Sequence, residues 1–192
     1  LRDAVSGPGI SFDEPVIVVG GGSVAMDTAM TARRLGAASV EIICLEQQHE
    51  LPAHPDEIEE AREEGIEFTF GWGPVSFTAG EDNHLSHAKF LRCNKVFDET
   101  GRFAPQFAQD AYLERDIRWV ILAVGQESDR SVFGPEAGEV FSNRRLLGQD
   151  SESVEVWLPG FFGAGDLIHG PSSVVEAIAS GCLLYTSDAA DE

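Results

Sequence analysis

Gly20-x-Gly22-x-x-Ala25, inside the run VIVVGGGSVAMDTA from Val16 to Ala29, satisfies the G-x-G-x-x-G/A spacing by which a chain can hold a dinucleotide. Gly20 permits a tight turn off a strand, and Gly22 leaves no side chain in the way of a pyrophosphate. Ala25 is small enough for a helix to pack against that strand. Gly21, Ser23, Val24 and Asp27 complete the segment, whose amides lie at the positive end of the helix and suit an anionic phosphate. Glu46 follows 26 positions after Gly20. An acid there accepts hydrogen bonds from both hydroxyls of an adenosine ribose and repels a 2′-phosphate. No arginine occurs in Cys44-Leu45-Glu46-Gln47-Gln48, so these residues point to NAD in preference to NADP.

A second group stands near the other end, in Gly163-Ala164-Gly165-Asp166 and Ser173-Val174-Val175-Glu176. Asp166, expected at the end of an apolar strand, could accept hydrogen bonds from polyol hydroxyls. Ser173 and Glu176 form a capping box that starts a helix, whose amides could stabilise negative charge on a reduced ring. Capped helices and Gly-Asp turns also occur with no ligand at all. His84 and His87 have the spacing of two ligands on one helical turn, but they fall in a turn-like stretch with no third ligand nearby. His54 and His169 lie near the first and second groups. Neither is needed for hydride transfer between two cofactors, where the cofactors carry the chemistry. No catalytic residue and no metal ligand is assigned.

These groups require particular elements to position them. Val16 to Val19 reads as a strand buried on both faces of a parallel sheet. The apolar residues from Val24 to Leu35 recur at helical spacing and stop at Gly36, and Ser39 to Leu45 is a second strand, so the β-α-β order of a mononucleotide-binding half results. Pro55 to Glu64 is a short acidic helix, and Glu67 to Phe70 a third strand. From Val75 to Arg115 the pattern changes to short apolar stretches broken by Gly-Glu-Asp-Asn and Asp-Glu-Thr-Gly, an antiparallel meander inserted on the sheet. Arg118 to Val124 returns to a buried strand ending at Gly125. Pro135 to Glu155 reads as loop with a short hairpin, and Ser173 to Ser180 as helix. The fold class is therefore α/β, a Rossmann-like parallel sheet with helices and an inserted meander.

Composition removes several alternatives. Thirteen basic against 33 acidic residues leave a formal charge of −20, which repels phosphate backbones and argues against nucleic acid or an anionic membrane as partner. No apolar run approaches the ~18–20 residues of a bilayer span. Cys44, Cys93 and Cys182 are widely spaced, with no disulfide framework and no Cys-x-x-Cys pair, and a reducing cytoplasmic setting fits. A stand-alone Rossmann dehydrogenase would need a substrate base or a Tyr-x-x-x-Lys constellation, and neither Lys89 nor Lys95 is placed for one.

The run from Val16 to Phe68, the later WVILAVGQ, and PGFFGAGDLIHGPSSVVEAIASG up to Gly181 resemble the FAD- and NAD(P)-dependent pyridine nucleotide-disulfide oxidoreductases. Gly-Gly-Gly-x-x-Ala-Met-Asp and Pro52-Ala53-His54-Pro55 point to the glutamate synthase small-subunit-like branch. The resemblance implies that Gly20 to Asp27 hold the nicotinamide cofactor, with Gly125 and Gln126 lining the same cleft. It further implies that Gly165, Asp166, Ser173 and Val174 belong to an FAD site. In such enzymes NAD(P)H gives hydride to the flavin, which passes electrons onward, commonly to iron–sulfur clusters in a domain or subunit that acts as acceptor. Many relatives end the second strand in Tyr-Arg-Arg where this chain has Cys44-Leu45-Glu46, which strengthens the NAD reading. The absent Cys-x-x-Cys argues against a thioredoxin-reductase-type dithiol. The family's N-terminal FAD fingerprint is absent, so residues 1–14 are expected to connect to an upstream FAD half. The expected nucleotide domain is 15–134, with 135–181 returning to the FAD domain and 182–192 an artefactual tail. With half the FAD site missing, a module that binds nucleotide without catalysing anything is the alternative.

Overall fold

The computed structural model describes residues 11–82, 84–125, 141–142, 145–146, 162–169 and 173–188. The β-branched run Val16–Val19 forms β1 with every residue buried, as a strand covered on both faces must be. Helix α1, Ser23–Arg34, follows. Its Ala25, Met26, Thr28, Ala29, Met30 and Ala32 are buried, while Arg33 and Arg34 sit in the last turn against the negative end of the helix dipole. Then come β2, Val40–Cys44, a 3-10 turn Gln48–Glu50, α2, Pro55–Glu63, and β3, Glu67–Phe70. Arg34 ties α1 to α2 through Glu60 and Glu64.

The meander consists of β4, Trp72–Ala79, β5, Leu85–Phe97, and β6, Phe103–Asp116. The β5–β6 turn is the expected Asp-Glu-Thr-Gly: Asp98 accepts from the Thr100 amide, the Thr100 hydroxyl and the Arg102 amide, and Gly101 takes φ +77°. These bonds hold the Asp98 carboxyl below its usual pKa, the Thr100 hydroxyl contributing most. Strand β7, Trp119–Leu122, closes this part of the chain.

The parallel sheet has the order β3-β2-β1-β7. Val16 pairs with Val40 on one side and with Trp119 on the other, so the chain leaves β1 in opposite directions across the sheet. Crevices at the carboxyl ends of such strands are where α/β sheets place ligands. The sheet separates two cores. Val16, Val18, Val40 and Ile42 pack with α1 and α2, whereas Ile17, Val19 and Ile43 pack with Ala88, Phe90 and Ile117 of the meander side. The three layers are thus helices, parallel sheet and antiparallel meander. Arg115 of β6 clasps Glu41 of β2 with two bonds of 3.0 and 2.9 Å, and the Thr69 hydroxyl adds a third at 2.6 Å.

Two compact units divide the chain, Leu1–Gly125 and Gln126–Glu192. In the second, β8, Phe141–Ser142, pairs antiparallel with β9, Arg145–Leu146, the short hairpin expected between Pro135 and Glu155. Helix α3, Asp166–His169, and α4, Val174–Asp188, follow. Two details differ from expectation. Asp166 opens a four-residue helix instead of ending a strand, because Gly165 turns the chain at φ +66° just before it. Helix α4 runs through Gly181 to Asp188, since the apolar Cys182-Leu183-Leu184 continues the helix once a lone glycine is tolerated. Among the described residues no helix is long and apolar enough to cross a membrane.

Candidate functional site

The three glycines after β1 are glycines for three different reasons. Gly20 has φ +139°, and a β-carbon on it would lie 2.3 Å from the Ala123 carbonyl oxygen, so the turn and the approach of the chain beyond β7 both exclude a side chain. Its amide donates to Ile43 O at 3.0 Å, which ties it to β2. A β-carbon on Gly21 would stand 2.9 Å from Glu46 Oε2 and 3.0 Å from Leu51 Cδ2; bare backbone here lets Glu46 come against the loop. Gly22 is another case. It is the N-cap of α1 with φ −90° and ψ 175°, extended backbone that any residue adopts, and the nearest atom to a β-carbon there is Pro52 Cγ at 4.0 Å. Nothing in the protein requires glycine at that point. What the missing side chain provides is open space in front of the first turn of α1, which has no acidic residue and no side-chain cap.

That opening has the chemistry a pyrophosphate needs. The Ala25 and Met26 amides close back onto the Gly22 carbonyl at 2.8 and 3.2 Å. The Ser23 and Val24 amides and the positive helix end are therefore what face this opening, where the nearest protein atom to a Gly22 β-carbon is Pro52 Cγ at 4.0 Å. Ser23 starts the helix, Ala25 is fully buried and Val24 is 68% exposed. Asp27, one turn on, is exposed and lies outside the first turn.

Glu46 stands two residues past the end of β2 and is half-buried. Burial first, and the nearby Glu50 carboxylate next, push its pKa above the ordinary glutamate value. Its carbonyl accepts the Gly71 amide at 3.1 Å. Cys44, at the end of β2, is buried, with its thiol 3.7 Å from the same carbonyl. Burial holds that thiol's pKa up to about 12, so it is a packing group.

Sequence reasoning missed what covers this loop. The Ala53 amide donates to Gly21 O at 3.2 Å, Leu51 stands beside Glu46 against Gly21, and Pro52 is the nearest side chain to Gly22. The Pro52-Ala53-His54-Pro55 motif was the available signal, and its role emerges only when the turn after β2 folds back onto the glycines. His54 serves as N-cap of α2, its amide donating to Glu57 Oε2 at 3.0 Å. His87 pairs with Asp116 at 3.0 Å on the meander.

Gly125 is exposed, with φ +96°, and follows Leu122 and Val124, also exposed. Gln126 lies outside the described residues. In the second unit the Gly165 amide donates to the buried Ser180 Oγ at 2.9 Å. Asp166, Ser173 and Val174 are exposed. The capping box is formed in full: the Ser173 amide donates to Glu176 Oε2 at 2.9 Å and the Glu176 amide to Ser173 Oγ at 3.3 Å.

Residues 4–181 match the family model described as pyridine nucleotide-disulphide oxidoreductase. The chain belongs to that family. It is 34% identical over 173 residues to the NADP(+)-dependent formate dehydrogenase subunit beta of Moorella thermoacetica, covering 86% of this chain and 23% of the relative. To the glutamate synthase [NADPH] small chain of Azospirillum brasilense it is 33% identical over 168 residues, covering 86% of this chain and 34% of the relative. The chain thus spans about a quarter to a third of the length of these relatives. Among solved structures, the thioredoxin reductase of T. acidophilum superposes with a TM-score of 0.71 at 18% identity, over 95% of this chain and 52% of that one. The α/β fold with its antiparallel layer is therefore shared with that thioredoxin reductase, and the resemblance to the glutamate synthase small-subunit branch holds.

Proposed function

We propose that this chain is the nicotinamide-dinucleotide-binding part of a flavin-dependent oxidoreductase, in which NAD(P)H delivers hydride to FAD and electrons pass on to an iron–sulfur or other acceptor. The observation that carries the reading is Gly22. It is a glycine that neither backbone angle nor crowding demands, in front of a helix start without cap or acid, and an approaching phosphate explains it. Gly20, Gly21 and Ser23 build that turn, Val24, Ala25 and Asp27 continue it into α1, and the family resemblance assigns Gly125 and Gln126 to the same site. The cofactors supply the redox chemistry; the residues here bind, orient and select, and no side chain acts as catalyst.

Glu46 selects NAD over NADP in this reading. Its carboxylate lies against Gly21, where ribose hydroxyls can donate to it and a 2′-phosphate meets its charge. Two relatives carry NADP(+) and NADPH in their names, so the preference rests on Glu46 alone. Gly165, Asp166, Ser173 and Val174 contribute to the FAD site, with a cytoplasmic setting and an iron–sulfur domain or subunit as partner. Because the chain spans only a fraction of its relatives, the second reading is a module that binds nucleotide and catalyses nothing in isolation.

Calorimetric titration of the chain with NADH and NADPH tests the coenzyme choice. NADH binds more tightly, and Glu46→Arg narrows or reverses the gap. A wild-type preference for NADPH overturns the role of Glu46, and binding of neither overturns the dinucleotide site. NADH-dependent dye reduction by the flavin-loaded full product tests the rest; retained FAD without reduction sinks the hydride step.

A further inference from the structure

Beyond Glu46 the parallel sheet offers a third station along the same edge. Gly71, the residue after β3, gives its amide to the Glu46 carbonyl at 3.1 Å and takes φ +76°. A β-carbon there would lie 2.6 Å from Gln47 Nε2, 3.1 Å from Arg92 Cζ and 3.3 Å from Arg92 Nη1. The Arg92 side chain, reaching over from β5, therefore rests on the backbone next to Glu46. Its Nη1 donates to Phe70 O at 3.2 Å, and its guanidinium lies 5.3 Å from the Trp72 ring centroid. Arg92 is half-buried. One bond and one ring fix the orientation of a flat cation, a low-entropy surface for a second planar group.

The order of these stations matches the order of groups in a dinucleotide. Gly20 to Gly22 follow β1, Glu46 follows β2, and Gly71 with Arg92 follows β3, the strands being neighbours in that order. Pyrophosphate at the glycines and ribose at Glu46 leave the base to continue toward Gly71. We infer that Arg92, braced by Trp72 and the Phe70 carbonyl, is a specificity residue that stacks its guanidinium on the adenine of the bound dinucleotide. This rests on the glycine-loop reading above. Arg92 contributes affinity for adenosine-containing ligands and none for the nicotinamide half.

The test uses the full 192-residue chain and ligands that separate the two halves. ADP-ribose carries the adenosine and pyrophosphate, and reduced nicotinamide mononucleotide carries neither adenine nor its ribose. Arg92→Ala weakens ADP-ribose about tenfold, in the range of one lost base stack, and leaves reduced nicotinamide mononucleotide unchanged. Arg92→Lys, which keeps the charge and loses the plane, weakens ADP-ribose as much. With the wild type, ADP-ribose binds about tenfold more tightly than the corresponding base-free ribosyl pyrophosphate ligand, a readout that needs no substitution and stands even where a variant fails to fold. Wild-type affinity in Arg92→Ala, equal wild-type affinity for ADP-ribose and its base-free counterpart, or equal losses for both ligands in a folded variant each overturn the stacking role. Retained binding in Arg92→Lys with a larger loss for 2′-phospho-ADP-ribose in Arg92→Ala also overturns it, in favour of a phosphate-pairing arginine. If the wild type binds no ADP-ribose at all, the glycine-loop reading itself falls, and that outcome is distinct from the others.

Discussion

Helices α1 and α4 each begin beside glycine-rich sequence, but they finish their first turns in opposite ways. Helix α4 satisfies itself: Ser173 and Glu176 exchange amide bonds across the cap, and a carboxylate sits on the positive end of the dipole. Helix α1 has glycine as its cap and no acid in its first turn. A side-chain cap is worth on the order of 1 kcal/mol over alanine but only a few tenths over glycine, and α1, capped by Gly22, forgoes those few tenths. The contrast teaches that the sparser terminus is the one available to an incoming anion. At α4 any ligand must compete with, or build on, a cap already made.

The sharpest way to break the contrast is to give α1 the cap it lacks. Gly22→Asp fits the extended backbone and the open space and stabilises the helix by a few tenths of a kcal/mol. At the same time it sets a carboxylate where the pyrophosphate belongs. Dinucleotide affinity should fall about a hundredfold, roughly 2.7 kcal/mol, with an unchanged or higher melting temperature, as calorimetry and thermal denaturation will show. Unchanged affinity would remove the functional meaning of the bare cap.

A smaller effect comes from Glu46. Its pKa is raised in the folded protein, so the folded state favours the protonated form, and the ionised carboxylate that ribose hydroxyls need is fully present only above that raised pKa. NADH affinity is therefore highest at neutral and alkaline pH. It falls as pH drops through the titration of Glu46, starting at a higher pH than for an ordinary glutamate. Glu46→Gln flattens that profile and costs about tenfold at neutral pH, in line with hydrogen bonds to a charged group. The ligand-free variant is stabilised, since no buried charge remains to be accommodated. A profile of unchanged shape in Glu46→Gln would assign the pH dependence to other groups.

The smallest change is expected at α4. Ser173→Ala removes one half of the cap for about 1 kcal/mol, read as faster amide exchange at Glu176 and Ala177. Nucleotide affinity at the glycine loop stays as it was. A loss of NADH binding in this variant would show that the two helix starts are not independent.

The β-α-β half was legible because its signals are local. Four β-branched residues, a glycine turn and helical spacing up to Gly36 depend on little beyond nearest neighbours, and Glu46 is placed by counting along that unit. The meander was legible through its turn residues, Asp98 to Gly101 above all. Other parts of the site depend on tertiary approach and carry no local mark. Leu51, Pro52 and Ala53 reach the glycines only because the turn at Gln48–Glu50 folds back, and Arg92 reaches Gly71 only through the pairing of β5 with β4, which sets it opposite Trp72. Asp166 was misplaced onto a strand end because an apolar run followed by Gly-Asp looks the same whether the chain extends or coils. At the far end, the helix expected over Ser173 to Ser180 runs on through Gly181 to Asp188 because apolar residues follow.

The pairing of β1 with β7 joins Val16 to Trp119, nearly the whole length of the first unit, with the meander lying between. Contacts of such separation are slow to form, because the intervening loop must be closed before they return any energy. The β5–β6 hairpin, by contrast, is a local structure that draws Leu85 and Asp116 close before the parallel sheet is complete. Once it exists, the segment left to close is far shorter than the sequence suggests. In this fold the antiparallel layer is then also a folding aid, and slowing the hairpin by disturbing its Asp98 turn should delay the assembly of the glycine loop it never touches.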